Sequence, residues 1–269
     1  MQEYAWQTIG HTAIKQRFEQ GLRAGNFPQA VLCIGPSGVG KATLVHEVAH
    51  FLGAETHSIL EFDVAAGNIE SFRDFLTTTT YLPAGARAQV VVLQHAESLT
   101  VVMANTLLKT LEEPPQHTYF FLLSAENNVL PTIRSRCATF YFGNLSAEDA
   151  QQVVAMHGGA PVGFEGLLSP GELLARVAAG TADALEVWKK EWATLVHADD
   201  FVRLLVSQRL AGEEVPVLQE KFTFWLRLQR MELHGPEAAH RLSVLAEALH
   251  RLKANANRKL VCEYVCLHV

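Results

Sequence analysis

Cysteine is scarce in this chain, basic charge is not in excess, and long apolar runs are missing; each shortage removes a class of function. The four cysteines, Cys33, Cys137, Cys262 and Cys266, are too scattered for a disulfide framework or a zinc cluster. Cys262 and Cys266 stand four apart on a predicted helix, yet no nearby second pair completes a ligand set, so packing in a reduced, cytoplasmic setting is expected. The formal net charge of −6 gives no global basic footprint, and any nucleic-acid contact must be local or shared with partner chains. No apolar run reaches the roughly 18 residues of a membrane span. The stretch Met1-Gln2-Glu3-Tyr4-Ala5-Trp6 lacks the basic segment and apolar core of a signal peptide, so neither leader nor membrane is expected. What is present is ample core material: 49% of 269 residues are hydrophobic, enough for one large domain or two to three small ones.

The most informative segment is Gly35-Pro36-Ser37-Gly38-Val39-Gly40-Lys41-Ala42. Glycines so spaced let successive backbone N–H groups turn inward around a phosphate, and Lys41 adds a point charge at the start of a helix. The flanks fit: Ala30-Val31-Leu32-Cys33-Ile34 reads as a buried strand, and Leu44, Val45, Val48, Phe51 and Leu52 recur at helical spacing. Gly35, Gly38, Gly40, Lys41 and Thr43 are therefore the candidate nucleotide-binding residues. One position departs from the pattern. Alanine at 42 stands where a Ser or Thr hydroxyl would hold magnesium, and Thr43 is turned by about 100° around the helix from it.

A second magnesium-side group belongs at the end of a later buried strand. Here that strand is Val90-Val91-Val92-Leu93, followed by Gln94-His95-Ala96-Glu97. Glutamine has little affinity for a hard cation that prefers carboxylate, phosphate and water oxygens. Both metal-side groups are absent together, so no metal ligand set is expected, no cofactor is required, and ATP or ADP binding without hydrolysis is the expectation. Glu97 reads as a solvated loop acid, and His95 as a packed or solvated side chain.

Periodicity places helices at 12–24, after the phosphate loop, around Ile69–Leu76 and at Ala104–Leu111, where Pro114-Pro115 stops the last. Strands are expected at Ile59–Phe62, Tyr119–Leu123 and Thr139–Phe142. Residues 1–143 are thus read as an α/β domain with a largely parallel sheet. After Gly143 strand signals cease. Residues 144–184 are read as a short helical lid containing the loop His157-Gly158-Gly159-Ala160-Pro161. Residues 185–269 are read as an all-α domain with Leu242, Leu245, Leu249 and Leu252 in register and Phe222, Trp225 and Leu226 on an earlier helix.

Three stretches occur in one order: the phosphate loop, Asn105-Thr106-Leu107-Leu108-Lys109-Thr110-Leu111-Glu112-Glu113-Pro114-Pro115, and Leu130-Pro131-Thr132-Ile133-Arg134-Ser135-Arg136-Cys137. Together they resemble the clamp-loader ATPases of the AAA+ class. The missing metal groups, and Leu252-Lys253-Ala254-Asn255-Ala256-Asn257-Arg258-Lys259-Leu260, resemble the non-hydrolysing delta-prime branch of bacterial DNA polymerase III clamp loaders. That resemblance implies an AAA+ P-loop domain, a lid and a helical collar for oligomerisation. It also implies gamma/tau and delta subunits, a sliding clamp and primed DNA as partners in replication, and Arg136 as an arginine finger acting in a neighbouring subunit's site. Arg134 is expected to make an intradomain or phosphate-backbone contact. Ser124 occupies the place of a γ-phosphate sensor, and Thr8-Ile9-Gly10-His11 resembles the segment flanking the adenine base. The relatives' zinc cluster is absent, and the lid arginine expected near Gly180-Thr181-Ala182-Asp183-Ala184-Leu185 has no match. Two other readings stay open: an active gamma/tau-like ATPase, and an AAA+ interaction module outside replication.

Overall fold

A computed structural model describes residues 4–83, 85–157, 168–231 and 236–269. The chain forms two compact units, one through Ala175 and the other Arg176–Val269. In the first, the order is α1 (Thr12–Ala24), β1 (Ala30–Ile34), α2 (Lys41–Phe51), β2 (Ile59–Asp63), α3 (Ile69–Thr78), β3 (Gln89–Gln94), α4 (Val101–Glu112), β4 (Thr118–Ser124), α5 (Pro131–Arg134), β5 (Ala138–Tyr141), α6 (Ala147–Met156) and α7 (Pro170–Ala178), the last running into the second unit.

The five strands form one wholly parallel sheet in the order β2-β3-β4-β1-β5. Alternation along the central strands explains why it is covered on both faces. Val31 and Cys33 of β1, Val90 and Val92 of β3, and Phe121 and Leu123 of β4 join one core, with Phe18 of α1 and Leu44, Val45 and Val48 of α2. Leu32 and Ile34, Val91 and Leu93, and Phe120 and Leu122 point the other way, into a core with Phe72 of α3 and Leu107 and Leu111 of α4. Strands buried on both sides read as unbroken apolar runs, which is why these three were visible in sequence. Local caps set the helix starts: the Asn68 side chain accepts from Ser71 N–H, and Thr100 accepts from Met103 N–H.

The unit boundary after Ala175 differs from the boundaries after 143 and 184 drawn from sequence. The reason is contact beyond Gly143. Leu145 packs so close to Gly10 that a Cβ there would lie 2.4 Å from its Cδ2, and Gly171 N–H donates to Gly38 O at 3.1 Å. Most of the loop His157–Pro161 lies outside the described residues.

The second unit holds α8 (Asp183–His197), α9 (Asp200–Leu210), α10 (Val215–Met231), α11 (Pro236–Lys253) and α12 (Arg258–His268). Trp225 is wholly buried and donates from its indole nitrogen to Trp188 O at 2.7 Å. On α11 the buried face is Val244, Leu245, Ala248 and Leu252, with Leu242 and Leu249 on its flanks. Cys262 and Cys266 are buried free thiols, pushed by desolvation to about 11 and about 12 respectively. An ionic cluster also lies inside this unit. Lys221 Nζ is 3.0 Å from Glu191 Oε2 and 2.5 Å from Glu213 Oε1, and Arg209 pairs with Glu191. Among the described residues no helix is long and apolar enough to cross a membrane.

Candidate functional site: a phosphate cradle at the strand ends

The loop after β1 leaves the carboxyl edge of the sheet and enters α2, where doubly wound sheets place their ligands. Gly38 and Gly40 both take positive φ, 74° and 97°, which turns consecutive N–H groups toward one hollow. Gly35 is pinned differently: its N–H donates to Ser124 O at 3.0 Å, and an added Cβ would sit 2.2 Å from Phe142 O. Lys41 is almost buried, and its ammonium donates to Gly35 O at 2.5 Å and Pro36 O at 2.7 Å. Burial pulls that ammonium below the usual lysine range, while Glu97 pulls it the other way.

Gly38, Gly40 and Lys41 line a cavity of about 410 Å³. Gly38, Gly40, Lys41, Ala42 and Thr43 form one wall, and Gln7, Thr8 and Ile9 another; Gln94, His95, Ser124 and Ala125 come from the ends of β3 and β4. The volume and a wall of inward-turned N–H groups at a helix N-terminus fit a phosphate-bearing ligand. Gly35 itself does not line the cavity but fixes the loop behind it.

The metal side of the hollow is chemically different. Ala42 offers no oxygen. Gln94 at the end of β3 gives its amide N–H to Glu61 Oε2 at 2.7 Å, and the other Glu61 oxygen is 3.0 Å from His46 Nε2. Glu97 is held elsewhere, accepting from Ala125 N–H at 3.2 Å. Burial raises its carboxyl, but hydrogen bonds from its own backbone and from Ala125, with Ser124 and His95 close by, leave it on balance below the ordinary range. Glu97 is thus a packed, hydrogen-bonded acid and not the solvated loop residue expected, because the 3-10 turn Ala96–Ser98 folds it against the end of β4. Ser124 donates to Glu126 O at 2.6 Å, which makes it a cap at the strand end.

His11 sits beside the cradle with φ 53°; its Nε2 is 2.8 Å from Val39 O and its ring meets Phe142 edge-on at 4.9 Å. Burial lowers its affinity for a proton below the ordinary 6.5, a shift that the Val39 carbonyl partly opposes. The sign follows from linkage. A depressed folded value means that this histidine's stabilising contribution is complete above about pH 6.5 and is lost as pH falls through the folded value. An NMR titration is expected to give the His11 ring a midpoint below 6.5 in the wild-type chain. A midpoint at or above that value would contradict the burial described.

The segment that approaches the phosphate loop is Leu168–Leu174, and sequence reasoning did not assign it to the site. Ser169 N–H and Oγ both reach Glu172 Oε2, at 2.9 and 3.0 Å, a reciprocal cap that starts α7. Gly171 then packs on Gly38, where a Cβ at 171 would fall 2.7 Å from Gly38 Cα. The pattern Ser-x-x-Glu before Leu173-Leu174 was the available signal. The region Gly180–Leu185, where a lid arginine was expected, follows α7 and contributes nothing to the cavity lining, and Leu168–Leu174 contains no arginine.

Arg136 lies away from the cradle. Arg136 precedes β5, whose Ala138 pairs with Val31 and whose Tyr141 pairs with Ile34, so it sits at the amino edge of the sheet while the cradle sits at the carboxyl edge. Its Nε donates to Glu112 Oε1 at 2.7 Å, its Nη2 reaches the same oxygen, and its Nη1 donates to Thr132 O at 3.1 Å. Arg134 is engaged within the domain, donating to the Tyr141 hydroxyl with its guanidinium over that ring.

Residues 55–146 match the family model described as "DNA polymerase III, delta subunit". DNA polymerase III subunit gamma of Buchnera aphidicola (subsp. Schizaphis graminum) is 32% identical over 164 residues, covering 52% of this chain and 45% of the relative. Subunit tau of Escherichia coli (strain K12) is 32% identical over 168 residues, 54% of this chain and 26% of the relative. The likeness is to subunits of DNA polymerase III. The matched region takes in the runs 105–115 and 130–137 singled out in the sequence. The chain spans less than half the length of these relatives. In fold, it resembles the crystal structure of a DNA polymerase III gamma subunit-related protein from Thermotoga maritima, with a TM-score of 0.51 at 21% identity over 93% of this chain and 97% of that one.

Proposed function

We propose that this chain is a non-hydrolysing, delta-prime-like clamp-loader subunit. It holds nucleotide without turning it over and lends Arg136 to the site of an adjacent ATPase subunit. One observation carries the reading: the phosphate-facing half of the cradle is intact, while the cation-facing half has Ala42 and a neutral Gln94 whose amide nitrogen donates to Glu61. Gly38, Gly40, Lys41 and Thr43 would hold the phosphates, with Gly35 fixing the loop. Bound nucleotide would supply phosphate charge to that wall and, with it, a reason for the strap Leu168–Leu174 to stay in place. Residues 185–269 would serve as the collar through which the subunit joins gamma/tau and delta partners, and the assembled ring would place a sliding clamp on primed DNA.

The gamma and tau names of the relatives favour a second reading, a gamma/tau-like ATPase in its own right. Purified chain separates the two. ATP and ADP are expected to bind, Lys41→Ala is expected to weaken binding at least about tenfold, and turnover with Mg²⁺ is expected to stay at background. Sustained turnover by the isolated chain would overturn the non-hydrolysing reading in favour of the motor.

A further inference from the structure

We propose that Glu112 is the positioning residue for Arg136, holding the guanidinium in the orientation in which it meets a neighbour's phosphates; this rests on the finger reading above. Glu112 is the last residue of α4, followed by Glu113 and the two prolines that end the helix. A carboxylate at that end faces the negative pole of the helix dipole, where acids are disfavoured. Arg136, 24 residues away in sequence, answers it across space.

The bases of both side chains are fixed. Leu111 and Ile133 are buried in the same core, Cys137 packs against it, and Arg136 N–H donates to Ile133 O at 3.0 Å. Only the side chains reach outward, and both are exposed. Glu112 Oε1 takes Nε–H and one Nη2–H, and Thr132 O takes one Nη1–H. A guanidinium has five N–H groups, so one remains on each terminal nitrogen. Those two lie in the guanidinium plane, and each can donate to a phosphate oxygen. A free arginine would have to give up its rotamer freedom when a neighbour docks; here Glu112 has already restricted it.

The test uses the chain assembled with its hydrolysing partner subunits. Glu112→Ala is expected to lower the kcat of the assembly about tenfold with KM unchanged, because orientation and not nucleotide binding is lost. Glu112→Gln keeps an acceptor oxygen and is expected to restore most of the rate, and Glu113→Ala to leave it unaltered. In an Arg136→Ala background, Glu112→Ala should add nothing. If Arg136→Ala slows the assembly and Glu112→Ala does not, the positioning role is overturned and the finger reading stands. If the two losses add, Glu112 acts elsewhere and the inference fails. If neither slows it, the finger reading and this inference fall together.

Discussion

An assembly carrying Arg136→Ala is expected to turn over ATP about 10³-fold more slowly than wild type, with the variant chain still incorporated. The size follows from the chemistry of phosphoryl transfer. Charge accumulates on the transferring group, a fixed guanidinium at that point lowers the barrier by about 4 kcal/mol, and water cannot replace it at equal strength. The place of Arg136 makes the effect one between chains. It stands at the amino edge of a parallel sheet whose cradle lies at the carboxyl edge, so it cannot reach phosphates held by its own loop. Arg136→Lys should recover little of the rate, since an ammonium lacks the planar fork. Arg134→Ala should cost far less, because Arg134 is already engaged with Tyr141. Folding of the isolated chain should hardly change, the Arg136–Glu112 pair being exposed. A reduction of less than about threefold, less than 1 kcal/mol in the barrier, would remove the finger role.

Lys221→Ala is expected to destabilise the second unit by about 3–5 kcal/mol, the largest effect on stability anticipated here. Lys221 is only 3% exposed and its ammonium lies between Glu191 and Glu213, with the rings of Trp188 and Trp225 at 5.8 and 6.0 Å. Removing it leaves Glu213 without that partner and the buried Glu191 carboxylate with Arg209 alone. Lys221→Met fills the same space but has the same charge defect, so it should rescue little. Adding Glu191→Leu and Glu213→Leu should recover most of the loss, since replacing a whole buried ion set by apolar groups is often neutral. Trp188, Trp192 and Trp225 all lie in this unit, so tryptophan fluorescence in a urea titration reads it with little interference from Trp6. A midpoint shift worth less than about 1 kcal/mol would mean the cluster is exchangeable with water.

Legibility in the sequence followed the range of the interactions. Strands β1, β3 and β4 were readable because both their faces are buried, and α4 because Pro114-Pro115 ends it. The phosphate loop was readable because its chemistry is contiguous. Features made by distant pieces were not. The Gly38–Gly171 approach, the hold of Glu61 on Gln94 and the grip of Glu112 on Arg136 each join residues separated by many positions, and no local period announces them. The four-residue helix α5 is too short for any periodic signal. The packing of Glu97 against the end of β4 escapes the sequence because a single 3-10 turn decides it.

Because all five strands run the same way, the first unit has Arg136 at one edge of the sheet and the cradle at the other. Two subunits joined by Arg136 of one and a cradle of the next therefore meet through unlike surfaces, and such a join cannot have twofold symmetry. Any array built with it is directional, closing into a ring or continuing as a helix according to the rotation at each step. On the reading proposed above, a member that gives a guanidinium but whose own cradle has alanine at 42 and glutamine at 94 would differ in role from a hydrolysing neighbour in the same array.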